Sequence, residues 1–169
     1  MIVTIPITQQ MRAEALEHSK NIPLLNNSIT QGKGTEAGSL GEVATKNFLN
    51  ECYNSKASIV GKYDYDIYAE KKGVKIEVKT KRCTSRPQSH YECSVANFNT
   101  RQDCDFYVFT RVDKKNVYLL GFLSKKEFLN RSVQMVKGQK DSNLVNGEAF
   151  KFHADCRNVK ISQLRTFTA

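Results

Sequence analysis

Asp66, Glu77 and Lys79 form an aspartate followed, after ten residues, by Glu-x-Lys. Asp66 lies in Tyr63-Asp64-Tyr65-Asp66-Ile67-Tyr68-Ala69-Glu70, and the other two lie in Val74-Lys75-Ile76-Glu77-Val78-Lys79-Thr80-Lys81. Both stretches read as strands, and Lys71-Lys72-Gly73 between them reads as a turn, giving a hairpin from about Ser58 to Arg82. Strand side chains alternate between faces. Glu77, Lys79 and Lys81 therefore share one face, and Ile76, Val78 and Thr80 share the other. The hairpin brings the Asp66 strand alongside and adds a carboxylate to the charged row. Asp64 shares its face, so either aspartate fits over Glu77. Two converging carboxylates suit a divalent cation, and a neighbouring ammonium can hold an attacking water or offset a developing negative charge. That chemistry fits phosphodiester hydrolysis. The same spacing also fits the solvated face of an amphipathic strand, so the surrounding elements must decide.

Those elements read as follows. Ile2 to Ile7 suits a strand, and Thr8 caps a short helix through about Ser19 with Met11, Ala15 and Leu16 on one side. Asn21 to Gly34 reads as loop. Thr35 caps a helix to about Tyr53, with Ala37, Leu40, Ala44 and Phe48 as its apolar stripe. Glu42 lies off that stripe, near Thr45 and Leu49, and periodicity alone makes it a solvated glutamate. After the hairpin, residues 83–90 are loop, Tyr91 to Val95 a strand, and Asn97 to Asp103 a turn or short helix. Asp105 to Val112 and Asn116 to Leu123 are strong strands. Ser124-Lys125-Lys126-Glu127 is a capping box opening a helix to about Asn130, with Phe128 and Leu129 inward. The remainder reads as irregular until a last strand from about Asn158 to Leu164. Helix, strands, helix and strand in this order predict a single α/β domain with a central mixed sheet. Residues 1–33 are expected to be an accessory segment ahead of the domain at 34–169.

Gly38-Ser39-Leu40-Gly41-Glu42 opens the long helix, and the aspartate strand and the Glu-x-Lys strand follow it. In this order of parts the chain resembles the PD-(D/E)XK nuclease superfamily, which has the restriction-endonuclease-like fold. It is nearest to small viral and phage nucleases and more distantly similar to archaeal Holliday-junction resolvases. The resemblance covers roughly residues 34–130, and Tyr65 stands where the family's eponymous proline would be. It implies a restriction-endonuclease-like core with a mixed sheet flanked by helices, and a metal-dependent deoxyribonuclease, most simply an endonuclease. It implies Asp66 and Glu77 as direct ligands of Mg²⁺ or Mn²⁺, with the backbone carbonyl of Val78 as a third ligand. The family's aspartate is followed by a core residue, which favours Asp66, before Ile67, over Asp64. Lys79 would orient the nucleophilic water or stabilise charge. Glu42 would hold a metal-bound water or a second metal, and Gln102 matches the place of a glutamine that contacts the site. A viral origin, with action in the host cytoplasm, is a further implication.

Net charge is +9 over 169 residues, which favours a polyanionic partner. Lys71, Lys72, Lys75, Lys81, Arg82 and Arg86 gather around the hairpin in sequence and are expected to track DNA phosphates. Tyr63, Tyr65 and Tyr68 suit base stacking or cross-strand packing. No apolar run reaches membrane-spanning length, so a cytoplasmic protein with no membrane partner is expected. The five cysteines show no zinc spacing and read as reduced thiols, while His18, His90 and His153 are scattered without ligand spacing. A junction resolvase is the alternative enzyme, and it would act as a homodimer. A non-catalytic nucleic-acid-binding module or viral structural component is the alternative outside enzymes.

Overall fold

Residues 106–124 form two strands that are apolar on both faces, and such strands must be covered twice. That requirement organises the fold, described here by a computed structural model for residues 1–20, 35–145 and 148–168. In chain order the elements begin with β1 (Val3–Pro6), α1 (Gln9–Lys20), α2 (Thr35–Tyr53), β2 (Ala57–Ile59) and β3 (Ile67–Ala69). A 3-10 turn (Glu70–Lys72), β4 (Val74–Arg82), β5 (Glu92–Ala96), a 3-10 segment (Asn97–Arg101), β6 (Phe106–Val112) and β7 (Asn116–Ser124) follow. The chain closes with α3 (Lys125–Arg131), β8 (Val133–Met135), β9 (Lys140–Val145), β10 (Glu148–Lys151), β11 (Cys156–Lys160) and a 3-10 turn (Ile161–Gln163).

Six strands make one mixed sheet in the order β1-β7-β6-β4-β3-β2, antiparallel except where β4 runs parallel to β6. Strands β5, β11 and β8 make a second, antiparallel sheet, and β9 pairs with β10. On one face of the large sheet, Leu40, Val43 and Ala44 of α2 pack on Ile76, Val78, Val108 and Leu119. On the other, Tyr107, Phe109 and Leu123 meet Val95, Phe128, Val159 and Ile161. The result is a single α/β domain with a mixed sheet flanked by three helices, as the order of elements predicts.

Gly41 sets how closely α2 approaches the sheet. A Cβ there would lie 2.1 Å from the Thr80 hydroxyl oxygen and 2.7 Å from that of Thr110. Those two hydroxyls are bonded to each other at 2.8 Å and belong to stiff β-branched side chains. Gly41→Ala is therefore expected to destabilise the fold by about 1–3 kcal/mol through overpacking. Chemical denaturation measures it, and unchanged stability would contradict so close an approach.

The first twenty residues are built into the domain. β1 is an edge strand on β7, and the Thr8 hydroxyl accepts the Met11 N–H at 3.1 Å to cap α1. Met11 and Ala15 of α1 are buried, but Leu16 is 54% exposed, contrary to its expected place on the packed side. It follows Ala15 directly and so projects about a quarter-turn away from that face. The expected loop at 21–34 lies outside the described residues. The Ser124–Glu127 capping box is present in full, and Phe128 is buried. The C-terminal expectation needs correction: 133–151 contains β8, β9 and β10, and the last strand spans Cys156–Lys160, with Ile161–Gln163 a turn. These strands are short and polar, without the alternation that marks a half-buried strand. All five cysteines are free, and among the described residues no helix is long and apolar enough to cross a membrane.

Candidate active site

The hairpin forms, and its turn closes on Gly73 with φ at +63°, a left-handed conformation that glycine adopts without strain. Only three residues of β3 pair with β4, ending at Ile67 opposite Ile76. The Asp66 N–H still donates to the Ile76 carbonyl at 3.0 Å. Beyond that the chain leaves the sheet, and the Asp66 carboxylate takes over as acceptor for the Val78 N–H at 2.8 Å. The N–H and C=O of one strand residue project to the same edge, so the Val78 carbonyl faces the gap that β3 leaves. Register carried one residue past Ile67 sets Asp66 against Glu77 on a common face. Asp64 points elsewhere, accepting the Asp103 N–H at 3.2 Å.

The charged row expected on β4 is not a solvated face. Glu77 is only 5% exposed, because the second sheet and the chain around Gln102 cover that side. One carboxylate oxygen, Oε1, accepts from the Lys79 ammonium at 2.5 Å and from the Gln102 amide at 3.1 Å. The Gln102 side chain is buried as well. Its amide NH₂ also donates to the Tyr63 carbonyl at 2.5 Å, while its amide oxygen lies 3.4 Å from the Lys79 ammonium. Lys125 in turn donates to the Gln102 backbone carbonyl. Glu77 Oε2 is buried without a hydrogen-bond partner. Its acidic neighbour, Asp66, can satisfy it only by carrying a proton.

Electrostatics record the same crowding. Burial, then the charges of Glu77 and Glu42, hold the Asp66 carboxyl well above its ordinary pKa of 3.8, against the Lys79 charge and the Val78 N–H. Burial also raises Glu77, opposed by Lys79, Gln102 and Asp66. Two carboxyls held this close cannot both ionise readily, so the pair holds one proton longer than a lone acid would, and it falls on Asp66.

Glu42 differs from what periodicity predicts. It is buried, because α2 is covered by the sheet on one side and by α1 on another, so Thr45 and Leu49 are buried too. Its Oε2 lies 2.5 Å from His18 Nε2 on α1, and that contact raises the His18 pKa above 6.5. His18 carried no signal in the sequence, since it stands twenty-four positions from Glu42 and shares no motif with it.

The basic residues do not form one cluster. Lys71 and Lys72 are exposed at the turn before β4, while Lys81 and Arg82 occupy its far end. A nine-residue strand spans roughly 26 Å, so Glu77 and Lys79 lie between two separate groups. Arg82 pairs with Glu36 at 3.4 Å, Arg86 is exposed in the following loop, and Lys75 pairs with Asp103 at 2.6 Å. Tyr65 packs near Tyr68 at 6.4 Å between ring centroids and lies under the Lys62 and Lys75 ammonium groups, while Tyr63 is exposed.

Asp66, Glu77, Lys79, Gln102 and Glu42 thus belong to one polar neighbourhood, with Glu42, Glu77 and Gln102 buried and Asp66 and Lys79 half-buried, at the point where β3 parts from β4. Among the described residues no three His, Cys, Asp or Glu side chains converge closely enough to hold a metal by themselves. Cation ligands available here are the Asp66 and Glu77 carboxylates and the Val78 carbonyl. No protein-family model, curated protein or solved structure matches the chain.

Proposed function

We propose that this protein is a divalent-metal-dependent nuclease of the PD-(D/E)XK type that hydrolyses phosphodiester bonds in DNA. One observation carries the reading: Glu77 Oε2 is a buried carboxylate oxygen without a donor, beside the half-buried Asp66, whose enclosed carboxyl has its pKa driven up. An unsatisfied buried carboxylate is costly, and natural proteins keep such groups where a ligand relieves them. The donor set is all oxygen, which suits Mg²⁺ or Mn²⁺. Mg²⁺ commonly binds through one or two carboxylates and retains several waters, so two acids and a carbonyl suffice. When bound, the ion supplies positive charge at the scissile phosphate and acidifies water.

The chain's own residues do the rest. Asp66 and Glu77 would hold the ion, and through it set where the reacting phosphate lies relative to β4. Lys79 holds the attacking water or offsets charge on the phosphate oxygens, with its ammonium aimed by Glu77 and Gln102. Gln102 braces both partners against the Tyr63 carbonyl. Glu42 adds negative charge from the α2 side, and His18 sets its orientation. Glu42 on α2, Asp66 immediately before β3 and Glu77-x-Lys79 on β4 also follow one another in the order of the restriction-endonuclease-like arrangement.

Incubating supercoiled plasmid and labelled duplex with Mg²⁺, Mn²⁺ or EDTA tests the proposal. Cleavage with either ion and none in EDTA is expected; absence of cleavage on linear, branched and single-stranded DNA would overturn it. His18→Ala is expected to slow cleavage about 10- to 100-fold at saturating metal, the range for residues that orient a site's acids. Unchanged turnover in that variant would remove His18 from the site.

A further inference from the structure

Two residues beyond Lys79 on the same face of β4, a cleft of roughly 100 Å³ opens between the large sheet and β5. Lys79, Lys81, Arg111, Ser94 and Glu92 are among the residues that line it. We infer that this cleft is a phosphate subsite, which holds the backbone phosphate flanking the scissile one and so fixes the path of the cleaved strand. The inference rests on the nuclease reading and extends it to residues that no motif marks.

Lys81 and Arg111 stand directly opposite each other in the parallel pairing of β4 with β6. Like charges opposite one another on a sheet face repel, yet both are held by neutral oxygens. The Lys81 ammonium donates to the Ser94 hydroxyl at 2.8 Å, and Arg111 donates through Nη2 to the Glu92 carbonyl at 3.0 Å. The Arg111 guanidinium also stacks over Tyr91, 5.0 Å from the ring centroid, which fixes its plane. Its Nε is buried without a partner. Although Lys81 as a residue stays exposed, burial of its ammonium lowers its pKa; the Arg111 charge adds to this, and Cys93, Cys156 and Glu92 oppose it. A paired ammonium and guanidinium with an unused N–H is a donor set that a phosphate completes.

Spacing supports the assignment. Two strand residues advance about 6.6 Å, whereas each nucleotide advances a DNA strand by about 3.4 Å along the duplex axis. Lys81 therefore meets the strand one or two nucleotides from the phosphate at Lys79.

The test is a scan with duplexes that each carry one neutral methylphosphonate at successive positions around the cut. Binding is measured in EDTA for wild type, Lys81→Met and Ser94→Ala, with circular dichroism to verify folding. In wild type, neutralising one phosphate one or two nucleotides from the cut is expected to weaken binding about tenfold, the worth of one charge-assisted hydrogen bond. In Lys81→Met that same duplex is expected to show no further loss, while penalties at other positions persist. Ser94→Ala, which keeps both charges, is expected to give an intermediate loss and serves if Lys81→Met fails to fold. Equal penalties at every position in wild type and variant, with wild type cutting normally, would overturn the subsite and leave the nuclease standing. Failure of wild type to bind or cut any DNA would overturn both.

Discussion

Glu77→Gln is expected to abolish metal-dependent cleavage, by about a thousandfold or more, while making the metal-free protein more stable. On the nuclease reading, the loss follows from removing one of the two carboxylates that would hold the cation at the reacting phosphate, where single electrostatic groups are worth about 10²–10³-fold. The gain follows from the state of the site without a cation. Glu77 Oε2 is buried without a donor, and Asp66 is raised by burial and by the Glu77 and Glu42 charges. An amide at position 77 removes one charge and supplies a donor to Asp66. Relief of an unsatisfied buried group is worth about 1–3 kcal/mol. Active sites commonly carry such strain, and their inactivating isosteres commonly stabilise.

The pH dependence of that effect has a definite sign. The folded Asp66 pKa lies above the ordinary 3.8, so the folded state holds a proton that the unfolded chain has released. Its favourable contribution is complete below about pH 3.8 and is lost as pH rises through the raised folded value. Subtracting the Asp66→Asn curve from the wild-type curve isolates this contribution from other titrating groups. In EDTA the difference is expected to turn against wild type as pH rises through that window. A flat difference curve would show that the folded Asp66 pKa is not raised.

Lys79→Ala carries the second large effect: cleavage falls by about 10²–10³-fold while divalent-ion binding is retained or tightened. The ammonium sits on Glu77 Oε1 at 2.5 Å and competes with a cation for that carboxylate, so its loss costs the ion nothing. Affinity for DNA in EDTA is expected to change little, because the remaining basic residues still meet the backbone. Single-turnover cleavage and binding measured on the same preparation separate the two properties. Normal cleavage by this variant would remove Lys79 from the chemistry.

How much of this was legible in the sequence depended on whether the signal was local. The α2 stripe of Leu40, Ala44 and Phe48, the strands of 105–123 and the Ser124 capping box rest on periodicity and short-range chemistry, and all are present. The hairpin is present too, but its first strand is only Ile67–Ala69, with Tyr63 to Asp66 outside it and Glu70 in the turn. Asp66 beside Glu77 was legible because a short turn fixes hairpin register. The pairing of Glu42 with His18 was not, because α1 must fold back on α2 before two residues twenty-four positions apart can meet. Whether Glu77 is covered or solvated was left open for a similar reason: β5 and β11, far along the chain, build the cover over that face. The basic residues looked like one cluster because they are near in sequence, but an extended strand separates what a helix would gather. Lys81 with Arg111 and Ser94 emerges only from the parallel β4–β6 pairing and the β5 contact.

The most direct measurement is a calorimetric titration of Mn²⁺ into wild type, Glu77→Gln and Lys79→Ala in the absence of DNA. A binding event is expected in wild type that disappears in Glu77→Gln and survives in Lys79→Ala. Equal binding in wild type and Glu77→Gln, or none in wild type, would contradict the assignment of Asp66 and Glu77 as a cation site.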